Sequence, residues 1–131
     1  MKKVSLILAM LALALALGLV LAGCDMGVDE SELGYRVTVS PKYVTLAPGT
    51  TQVFTATVTA TRNGKTYTGN FDKTVTWWLR YAYGRSGTVK ATITPDGMLT
   101  IANDESYDFY VYASPNAKRN TSDFAFVTVS R

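Results

Sequence analysis

The sequence of 131 residues predicts an all-β domain, a sandwich of two sheets built from seven to eight short antiparallel strands behind an apolar N-terminal segment. Three observations carry this. From residue 34 to the end the apolar residues alternate at period two, and no stretch shows the 3.6-residue period of a helix. The alternating stretches are rich in Thr, Val, Tyr and Phe, whose branched or planar side chains suit a pleated surface. Turn residues separate them at regular intervals, as at Pro48-Gly49, Asn63-Gly64 and Pro95-Asp96-Gly97. A small barrel is the alternative architecture for the same pattern.

In chain order, Arg36 to Ser40 is the first expected strand, halted at Pro41, which has no N–H to give a ladder. Lys42 to Leu46 resumes as a short edge piece. Thr51 to Thr61 is the clearest strand, with Phe54, Ala56, Val58 and Ala60 on one face and Thr55, Thr57, Thr59 and Thr61 on the other. Asn63-Gly64 accepts positive φ at both positions, so Lys65 to Thr68 is expected to fold back as a hairpin. Thr74 to Leu79, Thr88 to Thr94, Met98 to Ala102, Tyr107 to Ala113 and Asp123 to Val129 complete the set, with a polar loop from Ser114 to Ser122.

The N-terminal segment belongs to targeting rather than to the fold. Lys2 and Lys3 precede an apolar run from Leu6 to Leu21, and Leu21-Ala22-Gly23-Cys24 follows. That tetrapeptide resembles the lipobox of bacterial lipoproteins, in which the small residues fit a dedicated peptidase and the cysteine thiol receives a diacylglycerol before cleavage. The resemblance implies a signal peptide over residues 1–23 and lipidation of Cys24. Two acyl chains suffice for lasting attachment, so the expected location is the bacterial cell envelope, bound to a membrane by the lipid. Inner and outer membrane both remain open. Residues 24–33 carry Asp25, Asp29, Glu30 and Glu32 without apolar period, as a tether does, and residues 34–131 form one domain.

Charge and composition exclude several classes. Taking Lys2 and Lys3 out of 13 basic residues leaves 11 against 10 acidic ones, so the processed chain is nearly neutral and nucleic acid is not an expected partner. Cys24 is the one cysteine, so no internal disulfide can form. The chain has no His, which removes the commonest general base and metal ligand. Asp104, Glu105 and Asp108 cluster between two strands, where a solvated turn outweighs acid–base chemistry or a weak calcium site. The expectation is a protein without catalysis, cofactor or metal.

The domain itself resembles the group 2 bacterial immunoglobulin-like domains of intimin-type and invasin-type surface proteins. The resemblance rests on Val37-Thr38-Val39-Ser40-Pro41, Leu46-Ala47-Pro48-Gly49-Thr50, Phe54-Thr55-Ala56-Thr57-Val58, Val75-Thr76-Trp77, Ala91-Thr92-Ile93, Asp96-Gly97-Met98-Leu99-Thr100 and Val127-Thr128-Val129, in that order. It implies an immunoglobulin-like sandwich and a role in adhesion or surface interaction. The chain departs from the family in a hairpin around Asn63-Gly64 and in a long aromatic link from Trp78 to Gly87.

Side-chain parity then singles out a surface. With Val75, Trp77 and Leu79 inward, Trp78 points out; with Phe109, Val111 and Ala113 inward, Tyr110 and Tyr112 point out; with Ala125, Val127 and Val129 inward, Phe124 and Phe126 point out. Immunoglobulin-like topology would make these three strands neighbours. Trp78, Tyr110, Tyr112, Phe124 and Phe126 would then share one outer face, extended by Tyr81 and Tyr83, with Arg80 and Arg85 nearby. Such a face fits a protein or glycan ligand, or self-association as a spacer or envelope subunit; cross-strand packing, or cover by the link, is the structural alternative.

Overall fold

The computed structural model describes residues 32–131. The expected signal peptide, with Leu21 to Cys24, and the expected tether through residue 31 lie outside the described residues. The compact unit Gly34–Arg131 is all-β. Its strands are β1 (Gly34–Ser40), β2 (Tyr43–Leu46), β3 (Thr51–Val53), β4 (Thr55–Arg62), β5 (Lys65–Thr66), β6 (Val75–Tyr81), β7 (Ala91–Ile93), β8 (Met98–Ile101), β9 (Phe109–Pro115) and β10 (Asp123–Val129).

Three hydrogen-bonded sheets arise, in the orders β1-β4-β5, β2-β10-β9-β6 and β3-β8-β7. The first and third are linked because β3 runs into β4 through Phe54, so one long strand pairs with β8 at its start and with β1 afterwards. The arrangement is consistent with a β-sandwich. The inward rows meet in one core, with Val37, Val39, Phe54, Val58, Leu99 and Ile101 from one side and Phe109, Val111, Val127 and Val129 from the other. Burial of these side chains at roughly 25 cal/mol per Å² of apolar surface is the main force holding the layers.

Two details differ from the sequence expectation. Not all pairs are antiparallel, because β2 runs parallel to β10, with Tyr43 opposite Phe126 and Leu46 opposite Val129. The chain leaves the β1 sheet at residues 40–42 and joins the other layer, so β2 lies at the edge of a different sheet from β1. Asp123 fastens this crossing from both sides, accepting the Val39 N–H at 2.7 Å and pairing with the Lys42 ammonium. Second, the described strands number ten, because the expected strand from Thr51 to Thr61 divides at Phe54 and the edge pieces count separately.

Boundaries move for identifiable reasons. Only Ala91–Ile93 of the expected Thr88–Thr94 strand is regular, since the Lys90 N–H is taken at 2.7 Å by the Glu105 carboxylate. The same carboxylate accepts the N–H groups of Ser106 and Tyr107, delaying β9 to Phe109. The Asn63-Gly64 turn forms as expected, with φ of 54° and 79°. At Gly97, φ is +95° and a Cβ would lie 2.2 Å from the Phe54 carbonyl oxygen, so the turn before β8 requires glycine.

Candidate functional site

The outer face of the β2-β10-β9-β6 sheet carries the aromatic surface. Its registers align the side chains in two rows across the strands. One row is Trp78, Tyr112 and Phe124; the next is Arg80, Tyr110, Phe126 and Tyr43. The parity expected from the sequence holds in β6, β9 and β10: the odd-numbered neighbours from Phe109 to Ala113 and from Ala125 to Val129 are buried, and the rings between them point outward.

The rings form one connected network. Trp78 stacks on Tyr112 with centroids 5.0 Å apart and planes 5° apart. Tyr110 meets Phe124 at 5.1 Å, Phe126 at 5.3 Å and Tyr112 at 5.9 Å, and Tyr112 meets Phe124 at 5.5 Å. Edge-to-face and stacked contacts of this kind each contribute about 0.5–1.5 kcal/mol beyond the area they bury. Tyr110, Tyr112 and Phe126 are therefore half-buried by their neighbours, while Trp78 at 37% and Phe124 at 44% keep open area at the margins. At one corner the Lys42 ammonium stands 5.9 Å from the Phe124 ring while it pairs with Asp123. Burial pushes the Asp123 carboxyl up, but the hydrogen bonds from Lys42, Val39 and Phe124 outweigh it and hold the group below the usual carboxylate range.

The link after β6 is shorter than its sequence suggests, because β6 runs on to Tyr81 and the chain then reverses in a tight turn. Arg85 N–H bonds to the Ala82 carbonyl at 3.2 Å, and Tyr83 and Gly84 have φ of 58° and 69°. The turn meets the patch at Phe126. It contributes Tyr83, which packs edge-on against Phe126 at 6.1 Å and is 80% exposed.

Two residues expected on this face are elsewhere. Tyr81 has the same parity as Trp77 and Leu79, so it is buried in the core, and its hydroxyl donates to Glu105 at 2.8 Å. Burial and the neighbouring Glu105 raise the Tyr81 pKa. Arg85 lies past the turn, with its guanidinium 3.4 Å from the centroid of the Tyr107 ring and 5.3 Å from that of Tyr81. Arg80 does stand on the outer face, opposite Tyr110. Tyr43, absent from the sequence expectation, is 79% exposed and extends the second row. Its alternation with Val44 was visible, but only the parallel pairing of β2 with β10 places it beside Phe126.

The acidic cluster is dispersed into separate tasks. Glu105 is buried and accepts four hydrogen bonds, from Tyr81, Lys90, Ser106 and Tyr107. Burial raises its pKa, but these donors outweigh burial and hold the carboxyl below its ordinary value. Asp108 accepts the Val129 N–H at 2.9 Å, and Asp104 pairs with Lys90 at 3.1 Å on the surface. Each carboxylate faces different donors, which is the arrangement of turn fastening. The expectation of a solvated turn holds for Asp104 and fails for Glu105, whose hydrogen-bond acceptors are spent inside the protein.

No family model matches the chain, and no curated protein matches it either.

Proposed function

We propose that the chain is a membrane-anchored lipoprotein of the bacterial cell envelope, whose immunoglobulin-like domain binds a protein partner through the outer aromatic face and catalyses nothing. The observation that carries this reading is the continuous set of six rings, Trp78, Tyr112, Tyr110, Phe124, Phe126 and Tyr83, on one side of a single sheet. Aromatic clusters with open margins supply large contact area at little cost in side-chain entropy.

A protein suits this face better than a glycan. Sugar rings bind by stacking on an open aromatic face, whereas Trp78 and Tyr112 close one face of each other and Tyr110 meets its neighbours edge-on. Ring edges and the flanking Arg80, Tyr43 and Tyr83 match side chains and backbone carbonyls. The anchor rests on the Leu21-Ala22-Gly23-Cys24 resemblance, and the adhesion-type role on the ordered segments shared with group 2 bacterial immunoglobulin-like domains.

The test compares the full chain with its Trp78→Ser/Tyr112→Ser form in pull-downs from envelope and host-surface protein fractions and on glycan arrays. Loss of a saturable protein partner by about 10-fold or more, with folding retained, supports the reading. Binding that is unchanged by the double substitution overturns it. Concentration-dependent dimerisation lost on the same substitution would replace the partner by a second copy, and array binding would replace it by a glycan. Labelling cells with a radioactive fatty acid, with Cys24→Ser as control, decides the anchor independently.

A further inference from the structure

The sheet opposite the aromatic face has a gap. In β4 the residues of even number direct their backbone groups away from β1, as two flanking bonds show. Phe54 N–H donates to the Gly97 carbonyl at 2.8 Å, and the Ala60 carbonyl accepts the Tyr67 N–H at 2.8 Å. Between them Ala56 and Val58 point to the same side, because backbone direction alternates along a strand. There β8 has already ended in the Pro95–Gly97 turn and β5 has not begun. The N–H and C=O groups of Ala56 and Val58 meet no strand among the described residues.

Two hollows of about 400 and 640 Å³ lie along this edge, both lined by Ala56 and Lys73. Phe71 and Val58 line one beside threonines, and Trp77 and Val75 line the other beside Asp96 and Asn116, so each hollow has an apolar part beneath an unpaired backbone edge. Phe54 and Ala60 lie about 20 Å apart along the strand at about 3.3 Å per residue, and between these two bonded ends there is room for an extended segment of about five residues. Lys73 stands over the Phe71 ring at 5.1 Å and forms no ion pair with a carboxylate among the described residues.

We propose that this edge of β4 accepts an extended, acidic polypeptide segment of a partner protein as an added strand. Alternating N–H and C=O groups at ladder spacing are complemented by another extended backbone, the two hollows take its inward side chains, and Lys73 pairs with an acidic one. The site is separate from the aromatic face and does not depend on it.

The test uses the full chain in detergent micelles and the capped pentapeptide Thr-Val-Glu-Val-Thr. Amide hydrogen exchange by NMR should find Ala56 and Val58 exchanging faster than Thr57 and Thr59, whose amides face β1. The peptide should slow the two fast amides by about 10-fold or more, as ladder pairing does, and leave the Trp78 indole resonance unmoved. The same peptide N-methylated at alternate amides should fail, and Lys73→Glu should weaken the effect several-fold. Ala56 and Val58 amides as slow as those of Thr57 and Thr59 in the free chain would overturn the proposal. So would a peptide that leaves them unprotected, or one that moves Trp78 and Tyr112 instead.

Discussion

The indole of Trp78 on β6 and the phenol ring of Tyr112 on β9 lie parallel, 5.0 Å apart, directly opposite each other in the strand register. A stacked pair on the wet side of a sheet stabilises the fold by itself, which separates its structural worth from the binding proposed for it. A double-mutant cycle with Trp78→Ala and Tyr112→Ala, read by urea unfolding, should give a coupling of about 0.5–1.5 kcal/mol. A coupling near zero would mean that the two rings do not stack in solution.

Tyr83 tests the reverse case. Its φ of 58° is costly for a residue with a Cβ, on the order of 1 kcal/mol, yet the turn holds its ring against Phe126. Tyr83→Gly relieves the backbone and removes the ring. The expected outcome is a domain of equal or greater thermal stability with weaker partner binding. A loss of stability with unchanged binding would assign Tyr83 to the fold alone.

Glu105 organises the turn between β8 and β9 by accepting from two backbone amides with one oxygen and from Lys90 N–H and the Tyr81 hydroxyl with the other. Glu105→Gln keeps the size but turns one end into a donor facing donors. An unmet buried hydrogen bond costs about 1–3 kcal/mol, so this substitution should lower the midpoint of urea unfolding clearly. Tyr81→Phe removes a single donor and should cost less, on the order of 1 kcal/mol.

The pH dependence follows from the same group together with Asp123. Both carboxyls titrate below their ordinary values in the folded protein, so in acid the unfolded chain binds more protons than the folded one. Their stabilisation is fully present above the unfolded values of about 4 and is lost as pH falls through the lower folded ones. Thermal melts should be level from neutral pH to about pH 5 and fall below about pH 4. Glu105→Gln should flatten that acid limb; an unchanged limb would move the effect to other carboxylates.

Gly97 provides a backbone test. A methyl group there meets the Phe54 carbonyl at 2.2 Å and the Trp77 ring at 3.2 Å, at a φ of +95°. Gly97→Ala should destabilise by more than about 1 kcal/mol, beyond the ordinary effect of this exchange. Gly64→Ala also has positive φ but open space around it, so it should cost less.

Parity was the legible part. Alternation in β6, β9 and β10 placed Trp78, Tyr110, Tyr112, Phe124 and Phe126 on one face, because a strand buried on one side leaves no choice of side-chain direction. Tyr81 and Arg85 were misplaced for one reason: the link after Leu79 looked like a loop, where parity lapses, whereas β6 continues for two more residues and turns sharply. Tyr43 was missed because alternation does not say which sheet an edge strand joins. Glu105 was hidden as well, since its partners Tyr81 and Lys90 are 24 and 15 residues away and meet it only in the folded chain.

The crossing at Pro41 has a mechanical consequence. Because the chain gives β1 to one layer and β2 to the other within residues 34–46, this stretch is stitched into both sheets. Tension applied ahead of Gly34 and along β1 would load the seven-residue ladder with β4 in shear, so that its bonds yield together rather than in turn. Past that ladder, the Asp123 clasp on Val39 and Lys42 and the parallel seam of β2 with β10 would still have to part. A domain threaded this way resists being drawn out from its Gly34 end, and under force it is the rate of unfolding, not its equilibrium, that sets how long it stays folded.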